Sequence, residues 1–268
     1  MSNKYLLSVK KLSVEYKSNN SFIFTWEKKR IVKAVSNISF NLNEGKTLGI
    51  VGETGCGKST IAKAIVNIIK IKSGSIYWRD KNITNLSEKL MKEHRKEIQM
   101  IFQDPLASLN PRMNVGEIIS EPLITHFPDM TREKIKHKVK ELMINVGLLP
   151  NQINRYPHEF SGGQCQRIGI ARALILNPKL IICDEPVSAL DVSIQGQVIN
   201  LLKSLQKKYK LTYIFITHDL SIAKHMSDDI MVLYFGKVVE MGKKNKIFNQ
   251  PQHQYTKKLK CQNYHFHL

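Results

Sequence analysis

Residues 52–59 combine residue types and spacing that bind nucleotide phosphates. Their sequence, Gly-Glu-Thr-Gly-Cys-Gly-Lys-Ser, fits the pattern G-x-x-x-x-G-K-[ST], whose glycines leave backbone N–H groups free to face phosphates. In that pattern Lys58 supplies positive charge to the β- and γ-phosphates, and the Ser59 hydroxyl holds Mg²⁺. A glycine turn that fits by chance is the alternative. It is disfavoured because the apolar run at 48–51 is typical of a buried strand and residues 59–69 have helical spacing.

Two carboxylates, Asp184 and Glu185, follow an apolar run at residues 180–183. Ligands of open α/β sheets bind at the carboxyl ends of the strands, where this pair is expected. Asp184 is placed to anchor Mg²⁺, and Glu185 to orient or deprotonate the water that attacks a γ-phosphate. An acidic loop after a core strand is the alternative for the pair alone, and its combination with Lys58 favours the catalytic interpretation.

A third segment, residues 160–164, reads Phe-Ser-Gly-Gly-Gln. Ser161 and the backbone N–H groups of Gly162 and Gly163 are expected to begin a helix. The positive end of such a helix binds a phosphate.

The three segments, in this order, resemble the ATP-binding-cassette ATPases, whose signature reads Leu-Ser-Gly-Gly-Gln; Phe160 stands in the leucine position. The resemblance implies an α/β P-loop NTPase ABC-ATPase fold with a parallel-sheet core, an antiparallel β subdomain and an inserted helical subdomain. It implies a nucleotide-binding domain over residues 1–256, with the helical signature subdomain at about 103–177. Residues 257–268 are expected to form a short divergent tail in place of the family's longer cysteine-containing extension, so an iron–sulfur cluster is not expected.

The resemblance also implies a site for ATP and Mg²⁺ that combines several segments. The residues expected to act in catalysis are Glu185, His218, Lys58 and Gln103. The residues expected at the metal are Ser59, Gln103 and Asp184. The residues expected to bind the nucleotide are Tyr16, Gly52, Glu53, Thr54, Gly55, Cys56, Gly57, Lys58, Ser59, Thr60, Ser161, Gly162, Gly163 and Gln164.

Within that site, Tyr16 resembles the aromatic residue that stacks on adenine, with a packed strand aromatic as the alternative. Gln103 resembles the glutamine that links the nucleotide state to a transmembrane partner, and His218 the switch histidine that contacts the γ-phosphate. Residues 188–191 resemble a dimer-contact loop. In this family the signature helix binds the γ-phosphate of the opposing subunit, so ATP joins two cassettes and hydrolysis lets them part.

Two longer stretches, residues 102–112 and 155–167, resemble the ATP-binding subunits of peptide and nickel importers. The resemblance implies ATP hydrolysis coupled to oligopeptide import, with dipeptides or nickel as alternative substrates. The implied partners are a second cassette, expected to be a different chain, two transmembrane permease subunits and, indirectly, a peptide-binding protein. The expected location is peripheral, on the cytoplasmic face of the inner cell membrane.

Hydropathy predicts that the chain reaches the membrane only through partners. The longest apolar stretches, such as 61–71, are interrupted by Lys63 and Lys70 and fall short of the ~18 residues needed to cross a bilayer. The apolar part of residues 1–10 is too short for a secretory signal. A content of 42% hydrophobic residues in 268 is enough for one large core or a core with a subdomain.

The net charge of +19 raises the alternative of a non-transport ATPase of the same superfamily that acts on nucleic acid or ribosomes. The positive residues are scattered along the chain and are not interleaved with aromatics in one block. No nucleic-acid partner is therefore expected. The four cysteines have no C-x-x-C spacing, so no disulfide framework or zinc site is predicted; Cys56 is either a reactive thiolate or an inert thiol.

The hydrophobic pattern predicts strands and helices that alternate. The predicted strands are residues 6–16, 33–43, 48–51, 180–183, 212–217 and 230–234. The predicted helices are residues 59–69, 131–146, 194–208 and 220–226. Residues 19–29 are predicted to form an inserted loop whose aromatics, Phe22, Phe24 and Trp26, pack locally.

Overall fold

A computed structural model describes residues 5–17 and 31–264 of the chain. The insertion predicted at 19–29 lies outside the described residues. The strands of the described part are Leu7–Lys17 (β1), Ile31–Leu42 (β2), Thr47–Val51 (β3), Ser73–Trp78 (β4), Lys81–Asn82 (β5), Ile98–Ile101 (β6), Leu180–Asp184 (β7), Thr212–Thr217 (β8), Asp229–Tyr234 (β9) and Lys237–Lys243 (β10). The α-helices are Lys58–Ile65 (α1), Glu88–Arg95 (α2), Val115–His126 (α3), Arg132–Asn145 (α4), Gly162–Leu174 (α5), Val192–Tyr209 (α6), Leu220–Met226 (α7), Lys244–Asn249 (α8) and Gln254–Tyr264 (α9).

The chain divides into two compact units. The first contains the described residues within 1–44, 48–91 and 218–268, and the second contains residues 45–47 and 92–217. The site residues predicted from the sequence are divided between the two units. No helix in the described ranges is both long and apolar enough to span a membrane.

The first unit contains a four-stranded antiparallel sheet in the order β2-β1-β4-β5. The register of β1 shifts between Val9 and Leu12, where Lys11 has a φ of 50°. Three residues of regular strand would place Val9 and Leu12 on opposite faces, but this irregularity lets both be buried. The bulge therefore lets β1 bury apolar side chains on both sides of Lys11.

Elsewhere in the first unit, β3 pairs with β9 in parallel, and β9 pairs with β10 antiparallel. Helices α7, α8 and α9 pack beside these strands. The apolar cluster that joins them consists of Val51, Leu220, Ala223, Ile230, Val232, Ile247, Tyr255 and Leu259. Because Val51 directly precedes Gly52, this core supports the start of residues 52–59.

The second unit contains the parallel strands β6, β7 and β8, paired in that order. Every residue of β7 and β8 is buried, as expected for strands covered on both faces. Both strands end at the same edge, because Asp184 lies opposite Ile216 in the register. Helices α3, α4 and α5 of this unit pack against one another and lie within the stretch 103–177 predicted to be helical.

The structure confirms strand 212–217 and helix 220–226 with their predicted bounds. The prediction that the first helix extends to residue 69 was wrong, because α1 ends at Ile65. Asn67 adopts a left-handed φ of 57° and donates its side-chain N–H to the Leu86 carbonyl at 2.6 Å. A left-handed Asn is a common helix terminator, and here a distant segment holds it in place.

Candidate functional site

The residue that opens α1 in the first unit is Gly57. It adopts a φ of 105° and offers no side-chain cap to the helix, and a helix N-terminus is a place where backbone N–H groups suit an anion. A Cβ at Gly57 would lie 2.4 Å from the Ala34 carbonyl oxygen. Both the conformation and the close approach require glycine at this position.

Lys58 follows Gly57 in the phosphate loop, residues 52–59, and is only 4% exposed. Its Nζ donates hydrogen bonds to the carbonyl oxygens of Gly52, at 2.8 Å, and Glu53, at 3.0 Å. These carbonyls offset the cost of burying an ammonium group. The loop therefore presents one positive charge together with the N–H groups of the α1 N-terminus, which suits a polyphosphate.

The structure places Tyr16 beside the start of α1. The hydroxyl oxygens of Tyr16 and Thr60 are 3.4 Å apart, and Tyr16 is 41% exposed. An aromatic ring that is tethered at its hydroxyl and open to solvent is available to stack on a base. The geometry favours the adenine-stacking interpretation over a packed strand aromatic, and the role stays a prediction.

The acidic pair lies in the second unit and is almost completely buried, with Asp184 4% and Glu185 7% exposed. Glu185 has a left-handed φ of 47°, which is uncommon for a residue with a side chain and is often found at functional sites. Its N–H donates to the Ile216 carbonyl at 3.0 Å, and its carbonyl accepts from the Ser188 hydroxyl at 3.0 Å. The strands around the residue thus hold its backbone in a fixed, strained conformation.

Gln103 and Glu185 contact each other within the second unit. The Gln103 side-chain amide donates to the Glu185 carboxylate at 3.3 Å, across 82 residues of sequence. The residue predicted to report the nucleotide state is thereby bonded to the residue predicted to activate water. A ligand that binds Gln103 would therefore change the hydrogen bonding of the Glu185 carboxylate.

The strand that carries the acidic pair keeps its cysteine neutral. Burial raises the pKa of the Cys183 thiol far above its usual value, and the adjacent Asp184 carboxylate raises it further. Burial also raises the pKa of Cys165 in α5. Both residues act as small buried apolar groups of the second unit.

Ser161 caps the N-terminus of α5. Its hydroxyl accepts from the Gln164 N–H at 3.3 Å, and the Gln164 side chain accepts from the Ser161 N–H at 3.0 Å, which forms a capping box. A Cβ at Gly163 would lie 2.5 Å from Ile194 of α6, so a larger residue would separate the two helices. The exposed helix end is therefore pre-formed for an anion.

His218 follows Thr217, the last residue of β8, and is exposed. The next residue, Asp219, caps α7 by accepting from the N–H groups of Ser221, at 2.6 Å, and Ile222, at 3.1 Å. The end of a strand and a capped helix therefore fix the backbone on both sides of His218.

The donor set predicted for Mg²⁺ fits that ion chemically. Ser59 offers a hydroxyl, Asp184 a carboxylate and Gln103 an amide oxygen, and Mg²⁺ prefers oxygen ligands supplied by few side chains, substrate phosphates and water. Within the described ranges there is no group of three or more His, Cys, Asp or Glu side chains that could hold a metal by itself. Ser59 belongs to the first unit and Asp184 to the second.

Tyr255, which was not predicted as a site residue, contacts the phosphate loop. The Glu53 N–H donates to the hydroxyl of Tyr255, in α9, at 2.8 Å. The two residues are 202 positions apart, so no local pattern could have indicated the contact.

Known proteins resemble this chain in both sequence and fold. The ABC transporter family matches residues 35–188. The oligopeptide transport ATP-binding protein OppF of Haemophilus influenzae is 58% identical over 95% of this chain and 76% of that protein. The dipeptide transport ATP-binding protein DppF of Escherichia coli is 47% identical over 86% of this chain and 69% of that protein.

Among solved structures, the dimeric ATP-binding cassette MJ0796 in a post-hydrolysis state bound to ADP and Pi is 30% identical. It matches with a TM-score of 0.78 over 88% of this chain and 98% of that one. The structure of cbiO1 from Clostridium perfringens, part of the transporter complex cbiONQ, is 28% identical with a TM-score of 0.77 over 92% of each chain. These likenesses confirm the α/β P-loop NTPase fold of the ATP-binding cassettes. The chain belongs to the ABC transporter family and is one of its ATP-binding, ATP-hydrolysing cassettes.

Proposed function

We propose that this cassette powers the import of oligopeptides by a membrane transporter. The observation that carries the proposal is its identity of 54–58% with three proteins named oligopeptide transport ATP-binding protein OppF, over 95–96% of the chain. The more distant DppF, at 47% identity, makes dipeptides the second candidate class. Nickel remains a third candidate, through the resemblance of residues 102–112 and 155–167 alone.

ATP is proposed to bind with its phosphates on the N-terminus of α1 and its adenine on Tyr16. Lys58 would exchange its bonds with the Gly52 and Glu53 carbonyls for bonds with the β- and γ-phosphates. Ser59, Gln103 and Asp184 would hold Mg²⁺, which neutralises charge on the phosphates when it is bound. The remaining residues of 52–60 would contribute backbone N–H groups.

Glu185 is proposed to orient and deprotonate the water that attacks the γ-phosphate. Its carboxylate is buried and its backbone is strained, so the group is held before the substrate arrives. Gln103, already bonded to that carboxylate, would sense whether the γ-phosphate is present, and His218 would donate to the γ-phosphate.

A second cassette is proposed to complete the site. The exposed, capped N-terminus of α5 at Ser161 suits a γ-phosphate held by the opposing subunit. Closure of the pair on ATP and its opening after hydrolysis would be transmitted to two membrane subunits, with Gln103 near the link. A different chain is the expected partner, and the pair is proposed to lie on the cytoplasmic face of the membrane, held there by the membrane subunits.

Substitutions of Ser161 separate its two proposed roles. We expect Ser161→Ala to lower the free energy of unfolding by about 1 kcal/mol, because the cap is lost. Ser161→Asp retains a capping side chain and should keep wild-type stability, yet its negative charge should repel the γ-phosphate. In urea unfolding and in ATPase assays of the assembled transporter, both variants should lose turnover, the Asp variant more than the Ala variant.

Thr131→Ala is the matched control, because Thr131 caps α4 through the Lys134 N–H, at 3.4 Å. It should reduce stability to a similar extent and leave turnover unchanged. Wild-type turnover by Ser161→Asp would show that Ser161 is a helix cap and does not face a phosphate.

The proposed function is tested by ATP hydrolysis in four mixtures. These are the chain alone, the chain with the sister cassette, both cassettes with the membrane subunits in lipid, and that assembly with peptide-loaded binding protein. We expect low activity in the first mixture and several-fold stimulation in the last. Equal activity in all four would favour the alternative of a non-transport ATPase, which recovery of ribosomes or DNA with the tagged chain would support.

A further inference from the structure

The C-terminal helix α9 contacts the phosphate loop through the Tyr255 side chain. The Tyr255 hydroxyl accepts the N–H of Glu53, the second residue of the loop, at 2.8 Å. The same Glu53 contributes its carbonyl to Lys58 at 3.0 Å. Through its N–H and its carbonyl, Glu53 therefore links the Tyr255 hydroxyl to the Lys58 ammonium group.

Packing from several directions fixes the Tyr255 side chain. It is 7% exposed, and its ring centroid lies 4.2 Å from that of Tyr234, the last residue of β9. The ring belongs to the same apolar cluster as Val51, which immediately precedes the loop. A hydroxyl on a ring held in this way is a rigid acceptor, and the Glu53 N–H is the donor that it meets.

The segment that leads into α9 is also tied to the first unit. The Glu240 carboxylate in β10 accepts from the N–H of Gln252 at 2.9 Å and from the N–H of His253 at 3.1 Å. These bonds set where α9 begins, and Tyr255 is its second residue. The position of the hydroxyl is thus determined by β10 and by the core, and not by the loop that it contacts.

We propose that Tyr255 is a positioning residue for nucleotide binding: its hydroxyl holds the Glu53 peptide in the orientation that the phosphate loop needs to receive phosphates. The inference rests on the proposed ATP-binding role of the loop. By linkage, nucleotide binding and the docking of α9 stabilise each other, so a change that displaces α9 weakens binding of ATP.

A second contact between α9 and the loop is too weak to explain such an effect. The Lys258 ammonium lies 3.8 Å from the Glu53 carboxylate, and both side chains are largely exposed, at 65% and 47%. Exposed ion pairs at this distance contribute little. Lys258→Met therefore tests whether the ion pair with Glu53 affects nucleotide binding. Tyr255→Phe removes only the hydroxyl that accepts the Glu53 N–H.

The test measures ATP and ADP dissociation constants by calorimetry in excess MgCl₂ for the full chain and three variants. Tyr255→Phe should raise the dissociation constants of both nucleotides by about three- to tenfold, the effect of one lost hydrogen bond. Tyr234→Phe, which removes a hydroxyl from the neighbouring ring, and Lys258→Met should both stay within about twofold of wild type. In the assembled transporter, Tyr255→Phe should raise KM for ATP and leave kcat unchanged.

Hydrogen exchange of the nucleotide-free chain provides an independent readout. In Tyr255→Phe the Glu53 amide should exchange at least about threefold faster, while the amides of α9 keep their rates. Unchanged exchange at Glu53, or unchanged nucleotide affinity in Tyr255→Phe, would overturn the inference. If the wild-type chain bound neither nucleotide, the proposed function of the loop would fail, and with it this role for Tyr255.

Discussion

Glu185→Gln is expected to lower ATP turnover by the assembled transporter by about 10²- to 10⁴-fold, the contribution typical of a general base. The amide has the same shape as the carboxylate but cannot accept a proton from water. Binding of ATP should persist, because Lys58 and the α1 N-terminus are unchanged. Because hydrolysis is proposed to let the two cassettes part, the variant should accumulate as an ATP-bound pair, detectable by sedimentation.

The structure supports Gln as the least disruptive substitution at this position. The side-chain oxygen of Gln can still accept the bond that Gln103 donates at 3.3 Å, and the backbone bond from residue 185 to Ile216 is unaffected. Glu141→Gln, an exposed change on α4, is the matched control and should keep full turnover. A Glu185→Gln variant that retained more than a tenth of wild-type turnover would contradict the assigned role.

Lys58→Ala is expected to weaken ATP binding itself, by about ten- to 150-fold, because hydrogen bonds to charged groups contribute about 1.5–3 kcal/mol. The variant removes the loop's ammonium and also leaves the Gly52 and Glu53 carbonyls without that partner. Calorimetric titration with ATP measures the loss directly. Lys63→Ala, later in the same helix, is the control and should bind ATP as wild type does.

The two substitutions are informative together because they should affect different quantities. Glu185→Gln should reduce kcat with little change in the ATP dissociation constant, and Lys58→Ala should raise that constant. If both variants lost binding to the same extent, Glu185 would be supporting the structure of the loop. The separate roles proposed for Glu185 and Lys58 would then be wrong.

The sequence could predict the phosphate loop and the acidic pair because their chemistry demands fixed residue types at fixed spacing. Lys58 must follow a glycine-rich turn, and Asp184 must end a buried strand. The residue types therefore predict the secondary structure around them, and the predicted secondary structure supports the assignment of the residues. Strand 212–217 was equally predictable, because all of its residues are buried and its ends are polar or turn-forming. In these segments the local pattern and the tertiary environment favour the same structure.

Other features depend on contacts that no local pattern records. The left-handed φ of Glu185 is held by Ile216 and Ser188, and the early end of α1 depends on the bond from Asn67 to Leu86. Short elements such as β6 and β10 have too few residues to show a clear period of apolar and polar side chains. For the same reason Tyr255 could not be assigned: its partner lies 202 residues away.

The central claim is that ATP turnover by this cassette is coupled to the state of a peptide importer. Of the four mixtures, the complete assembly in lipid tests it most directly, measured with and without peptide-loaded binding protein. We expect loaded binding protein to raise ATP turnover several-fold and unloaded binding protein to raise it less. Turnover that is the same with loaded, unloaded and no binding protein would contradict the account.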